Sequence, residues 1–445
     1  MPRGAFRGGI HPPENKSLTS GLPIVPAQQP SKVYVLLHTT SCPLNPLVAK
    51  GDQVLKGQKL ADTDQKFGVP VHSPVSGKVA GISTVRTANG HDDTAIIVES
   101  DGNDTLHESC VPVKNPLSLS RDEIIAAIRE AGIVGMGGAE FPTHIKLAVP
   151  PSAKVDTLLL NGAECEPYLT ADHRLMLERP QDVVAGAQIL MRALDVRKCV
   201  IAIEDNKPDA VQALTKEAAS VPEIEVMAVR TKYPQGAEKQ LIKSTLGREV
   251  PPRCLPFHVG VVVNNVGTAV AVADKFYRGL PLVERVVTIT GSAAAKPANL
   301  LAKIGTTAAE LVEQCGGVKG ELGKVIFGGP MMGQAVFSLD VPTSKGTSGI
   351  LLMTAEEARQ REVLPCIRCG RCVDACPMRL EPAILHQWAE QQFWAEADAY
   401  HACDCIECGV CAFECPSKRP LVQAIRHAKF EIGRLRKAAK ERGAK

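Results

Sequence analysis

Aromatic side chains are scarce in this chain: Phe, Trp and Tyr together make up 4% of 445 residues, and only two are Trp. A surface that stacks nucleic-acid bases needs more of them. Charge of one sign is also missing. Fifty-one Lys and Arg stand against 48 Asp and Glu, a formal net charge of +3, which leaves no electrostatic footprint for a polyanion. No nucleic-acid partner is expected. Long apolar runs are absent as well. The greasiest stretch, Val259 to Ala273, is broken by Asn264, Asn265 and Thr268, and falls short of the ~20 apolar residues a spanning helix needs. Met1-Pro2-Arg3-Gly4 leads into Gly- and Pro-rich sequence without an apolar core, so no secretory signal is expected and the cytosol is the default. Any membrane association is expected to be peripheral. With 44% hydrophobic and 22% charged residues the composition is globular. A chain of this length exceeds one hydrophobic core, so three or four domains are expected.

Cysteine is what the chain has in excess, with fifteen. Eight fall in two blocks, Cys366-x2-Cys369-x2-Cys372-x3-Cys376-Pro377 and Cys405-x2-Cys408-x2-Cys411-x3-Cys415-Pro416. This is the arrangement of bacterial two-cluster ferredoxins, in which the fourth cysteine of each block reaches the other cluster. By that rule Cys366, Cys369, Cys372 and Cys415 hold one [4Fe–4S] cluster, and Cys405, Cys408, Cys411 and Cys376 the second. Structural zinc is the bland alternative. It asks for two CxxC pairs and has no use for a third cysteine at the same gap plus a Cys-Pro step. Thiolate ligands also imply a reducing compartment. Cys165 and Cys403 are expected to be spectator thiols.

The expected fold is multidomain α/β. Residues 1–30 read as an extended Gly/Pro-rich arm lying on another surface. Residues 31–116 carry short β-branched runs with Gly turns, as in Gly51-Asp-Gln-Val-Leu-Lys-Gly-Gln58 and Ser73-Pro-Val-Ser-Gly-Lys-Val79, and suggest a small β module. Their pairing resembles a lipoyl-type barrel-sandwich hybrid. Lys66 lacks the flanks of a modified lysine, so a docking module is expected rather than a carrier. From residue 117 to 282, helix alternates with strand: a helix Asp122 to Ala131 ending at Gly132, strands at Thr157 to Leu160, Cys199 to Ile203 and Val259 to Val263. That alternation indicates a sheet with helical cover, Rossmann-like in class. Residues 283–352 suggest a small β/α module, 353–430 a mostly helical cluster domain, and 431–445 a basic tail.

The loop Gly135-Met-Gly137-Gly138-Ala-Glu140-Phe141-Pro142 fails as a dinucleotide fingerprint, because Glu140 stands at the third glycine and a helix precedes it. What survives is a glycine loop whose amides can approach a phosphate. Further on lie Asn161-Gly-Ala-Glu164-Cys165-Glu166-Pro167, Tyr233-Pro-Gln-Gly236-Ala-Glu238 and Val262-Val-Asn264-Asn265-Val-Gly267-Thr268. In this order the four motifs resemble the flavin and NADH site of the complex I 51-kDa subunit family, and residues 285–350 resemble its β-grasp (SLBB-like) domain. The dicluster C-terminus, the N-terminal hybrid and segments such as GGIHPPENK and KYPQGAEKQL are similar instead to the C subunit of the Rnf ion-translocating electron transport complex, over almost the whole chain.

The resemblance implies that Gly135, Gly137, Gly138 and Lys146 serve the phosphate of a non-covalent FMN. Asn161, Glu164, Asn264, Asn265 and Thr268 would line the flavin, while Glu166 and Phe141 stand near the nicotinamide of NAD(H). It further implies a peripheral subunit on the cytoplasmic face of the plasma (inner) membrane. The implied partners are integral membrane and flavoprotein subunits and a ferredoxin or ferredoxin-like subunit. Here Glu140 and His144 replace glycines, Ala163 an aspartate, and Ala237 and Gly267 glutamates; a carboxylate at Glu140 would oppose an anion. Two other readings compete. One is a soluble NADH dehydrogenase (diaphorase) module; the other is a wiring subunit without flavin.

Overall fold

The computed structural model describes residues 4–39, 42–150 and 152–443; the opening Met1-Pro2-Arg3 of the arm and the last two residues of the tail lie outside the described residues. Lys32–Leu36, Gln53–Val54, Gly77–Arg86 and Asp92–Ser100 form a four-stranded antiparallel sheet. Asn45–Pro46, Lys59–Asp62 and Val71–His72 form a three-stranded one. Both sheets feed one core of Val33, Val35, Leu60, Val71, Val79, Ile96 and Val98. The loop that carries Lys66 is docked against the next domain. Phe67 meets Phe141 edge-on with ring centroids 6.2 Å apart, and His144 Nε2 lies 3.3 Å from the Lys66 carbonyl.

The second domain opens on the helix Arg121–Glu130, started by a reciprocal Ser120/Glu123 cap. Its sheet is parallel, in the order Ile224–Val229, Cys199–Glu204, Thr157–Gly162, Val261–Asn265. All six positions of Cys199–Glu204 are buried, as expected where helices cover both faces. Pro180–Leu194 and Val266–Arg278 pack so closely that a Cβ on Gly186 would stand 1.9 Å from the Ala269 carbonyl. The last strand begins two residues later than the expected Val259. Pro256–Val259 instead closes a 3-10 turn, with Gly260 at φ 78°. That shift carries Asn264 and Asn265 to the carboxyl end of the strand, where Asn265 pairs with Asn161.

Glu284–Thr290, Ala298–Lys303, Leu322–Phe327, Gln334–Val336 and Gly349–Thr354 make a mixed sheet with the helix Ala308–Gln314. Its sixth, edge strand is Ile24–Pro26 from the arm, pairing parallel with Ala298–Lys303. The arm thus runs along the α/β domain, where Ile10 bridges Tyr233, and ends inside another domain's sheet. The C-terminal region is helical: Arg371–Ala375, Pro382–Glu390, Trp394–Ala399, Val410–Glu414 and Leu421–Gly443. The last is one continuous helix through residue 430, so the basic tail continues an element of the C-terminal helical region. Among the described residues no helix is long and apolar enough to cross a membrane.

Candidate functional site

The glycine loop closes on itself: Gly135 N–H donates to the Phe141 carbonyl at 2.8 Å. It is pinned to the first turn of Val266–Arg278, where Met136 N–H donates to Thr268 Oγ1 at 3.0 Å. Its tip is open. A Cβ on Gly138 (φ 111°) would meet nothing within 4 Å, and one on Gly137 would come no nearer than 3.7 Å, to Asn265. Asn265 caps the helix by accepting from Gly267 N–H at 2.8 Å, and its Nδ2 donates to Asp172 Oδ2 at 2.6 Å. Asn264 is different. It is 2% exposed, yet neither its Nδ2 nor its Oδ1 has a hydrogen-bond partner. A buried orphan amide costs a few kcal/mol by order of magnitude. Lys146 donates to the Val263 carbonyl at 3.1 Å and pairs with Glu238 at 3.4 Å.

Glu140, the residue that threatened anion binding, turns away from the tip. Its carboxylate accepts from Ser344 Oγ and Gly346 N–H of the β-grasp domain. The departure from the glycine pattern is an interdomain clasp.

The acidic loop is built from both sides. Asn161 donates to the Gly236 carbonyl at 2.8 Å and accepts from Ala163 N–H at 3.1 Å. Glu164, expected to line the flavin, caps the helix Ala171–Glu178 by accepting from the amides of Asp172 (2.7 Å) and His173 (3.2 Å). Burial, then the nearby Glu164 carboxylate, push Asp172 up to about 7. The Cys165 sulfur accepts from Gly236 N–H at 3.3 Å. Glu166 accepts from Met331 (3.1 Å) and Met332 (2.9 Å) amides, and burial pushes its carboxyl up to about 7. The Tyr233 hydroxyl lies 3.4 Å from Glu166 and donates to the Cys408 carbonyl at 2.8 Å. Phe141 and Glu166 are thus engaged with different neighbours, Phe67 and the 331–332 turn.

Three contributors escaped sequence reasoning. Buried Lys16, from the arm, donates to the carbonyls of Glu164 (2.8 Å), Glu166 (2.9 Å) and Leu169 (2.5 Å). Burial lowers its pKa, opposed chiefly by Glu164. Lys207, paired with Glu204 at 3.0 Å, holds the Ala163 carbonyl at 2.8 Å. Tyr233 was legible only as a motif member. A buried lysine that serves carbonyls has no spacing signature, so none of these roles could be found from the sequence.

The two cysteine blocks repeat one backbone path. Arg368 and Glu407, Gly370 and Gly409, Arg379 and Lys418 all have positive φ at matching positions. Cys376 of the first block lines the same apolar cavity as Cys405, Cys408 and Cys411 of the second. Burial raises the Cys372 thiol, with nearby Cys415 and Cys369 adding smaller contributions. Cys366 and Cys369 are exposed, whereas Cys408 and Cys411 are buried. Among the described residues no three His, Cys, Asp or Glu converge on a point for a single metal ion.

An open glycine tip lies at the strand ends of the α/β domain, and two repeated cysteine blocks lie in the helical C-terminal region. Residues 128–274 match the family described as the Nuo51 FMN-binding domain, residues 4–103 the RnfC barrel sandwich hybrid domain, and residues 286–335 the SLBB domain. The chain is 49% identical over 429 residues to the C subunit of the proton-translocating ferredoxin:NAD(+) oxidoreductase complex of Clostridium ljungdahlii, covering 96% of this chain and 94% of that protein. It is 47% identical to the Na(+)-translocating counterpart of Acetobacterium woodii (96% and 97% covered). To the C subunit of the ion-translocating oxidoreductase complex of Rhodobacter capsulatus it is 41% identical (86% and 74% covered). The chain belongs to the RnfC family, the C subunits of Rnf complexes.

Proposed function

We propose that this chain is the peripheral, cytoplasmic-side redox subunit of an ion-translocating complex, exchanging hydride between NADH and FMN and passing electrons through two [4Fe–4S] clusters. FMN, when bound, would link the two-electron nicotinamide to one-electron clusters. The amides of Gly135, Gly137 and Gly138, with Lys146, would hold its phosphate, and the unpaired amide of Asn264 would meet the ring. Thr268 holds the glycine loop to its helix and Asn265 caps that helix, while Asn161 and Glu164 shape the acidic loop. Phe141 and Glu166 are the residues proposed nearest the nicotinamide. Cys376, Cys405, Cys408 and Cys411 would hold the cluster nearer the flavin domain, and Cys366, Cys369, Cys372 and Cys415 the outer one.

One observation carries this reading. The cavity shared by Cys376 and the second block lies behind Tyr233, whose hydroxyl reaches Cys408 from the flavin domain. Names of relatives that include ferredoxin:NAD(+) oxidoreductase support a ferredoxin-type partner and NAD(H) as substrate. The proposed partners are integral membrane and flavoprotein subunits of the same complex. Anaerobic reconstitution of the whole chain tests the reading: about eight irons and flavin absorption are expected together. Cluster bands without retained flavin would leave only an electron wire. Co-expressed with its partners, the chain should sediment with membranes; equal retention by membranes lacking them would replace protein docking with direct lipid binding.

A further inference from the structure

We infer that Lys16, delivered by the N-terminal arm, is a positioning residue that sets the acidic loop of the proposed flavin and NADH site. The role rests on the flavin reading above. A lysine ammonium has three donors and no acceptor. All three point to main-chain carbonyls of one loop, those of Glu164, Glu166 and Leu169. That loop contains two non-glycine residues in the left-handed region, Glu164 at φ 47° and Tyr168 at φ 70°. Such conformations persist only where surrounding contacts over-determine them.

The rest of the arm follows the same course. Tyr168 N–H donates to the Glu14 carbonyl at 2.8 Å, and the hydroxyls of Thr19 and Thr170 lie 2.7 Å apart. Residues 14–19 therefore strap the loop from behind. Drawing three carbonyls inward leaves the Glu164 carboxylate on the helix Ala171–Glu178 and Asn161 on Gly236. Without the ammonium, one buried and two part-buried acceptors lose their donor and the loop is free to leave its left-handed turns. Lys207 still anchors Ala163, so the change is confined to 164–170.

The test uses the full, cluster-reconstituted chain with FMN as probe. Lys16→Met should retain its iron, bind FMN at least about tenfold more weakly, by the loss of charged hydrogen bonds, and show faster amide exchange at 164–170. Glu178→Ala releases the arm elsewhere, at Ile24 N–H, and should change neither FMN affinity nor exchange in the loop. Should Lys16→Met not fold, Lys16→Gln decides, with a smaller loss expected. Wild-type FMN affinity and unchanged exchange in the folded lysine variant would overturn the inference. Wild-type protein that binds no FMN would overturn the flavin reading instead, and loop exchange alone would then judge the strap.

Discussion

Asn264 leaves a whole amide unpaired in the interior while its neighbour Asn265 uses both ends of its own. Replacing an orphan buried amide by an apolar side chain of similar size removes a desolvation cost. Asn264→Leu is therefore expected to stabilise the flavin-free protein by about 1 kcal/mol and to weaken FMN binding. Denaturation and flavin titration read the two effects, and undiminished FMN affinity would move the ring elsewhere. Gly137 offers the converse. Space around its Cβ position is adequate, so Gly137→Val should fold and keep its iron, yet lose FMN because the side chain stands between amides and phosphate. Retained flavin in that variant would sink the assignment. Glu140 shows why a motif departure needs its neighbours: the charge that would repel a phosphate is engaged by hydrogen bonds from Ser344 and Gly346.

At the scale of elements, the repeat governs the C-terminal helical region. Each block places a left-handed glycine, Gly370 or Gly409, just before a five-residue helix that carries its third cysteine, Arg371–Ala375 and Val410–Glu414. The fourth cysteine of each block directly follows that helix. Cys376 is found in the second block's cavity. Cys415→Ala should accordingly damage the cluster of the first block, although it belongs to the second. Electron paramagnetic resonance of the reduced protein separates the two clusters, and loss confined to the second block's signal would refute the crossed ligation.

Across the whole molecule, the domains are joined by single buried polar groups rather than by broad apolar faces alone. Lys345 of the β-grasp domain reaches the Pro70 carbonyl of the hybrid (3.0 Å) and the Gly132 carbonyl of the α/β domain (2.7 Å). Burial draws its pKa down to about 8, with Glu140 opposing. A cation whose pKa is lowered on folding binds fewer protons in the folded state between its folded and unfolded values. This residue's contribution therefore becomes more favourable as pH rises from about 8 to about 10, after costing roughly 3 kcal/mol at neutral pH. The stability of wild type relative to Lys345→Met should rise over that window in the first chemical unfolding transition. A flat difference would show that the ammonium is not desolvated as described.

The cysteine spacing, the parallel-sheet runs and the loop motifs were legible in the sequence because each depends on residues adjacent along the chain. A CxxC gap sets a turn, a buried parallel strand needs an unbroken apolar run, and a helix start needs a cap such as Ser120/Glu123. Other features belong to the tertiary structure alone. The arm's entry into the β-grasp sheet, Lys16 beneath the acidic loop, Tyr233 against Cys408 and Glu140 on Ser344 join residues well over a hundred positions apart. None has a periodicity or a fixed spacing to announce it. Such contacts form only where folded domains bring a donor and an acceptor together away from water, and burial then makes each pairing compulsory.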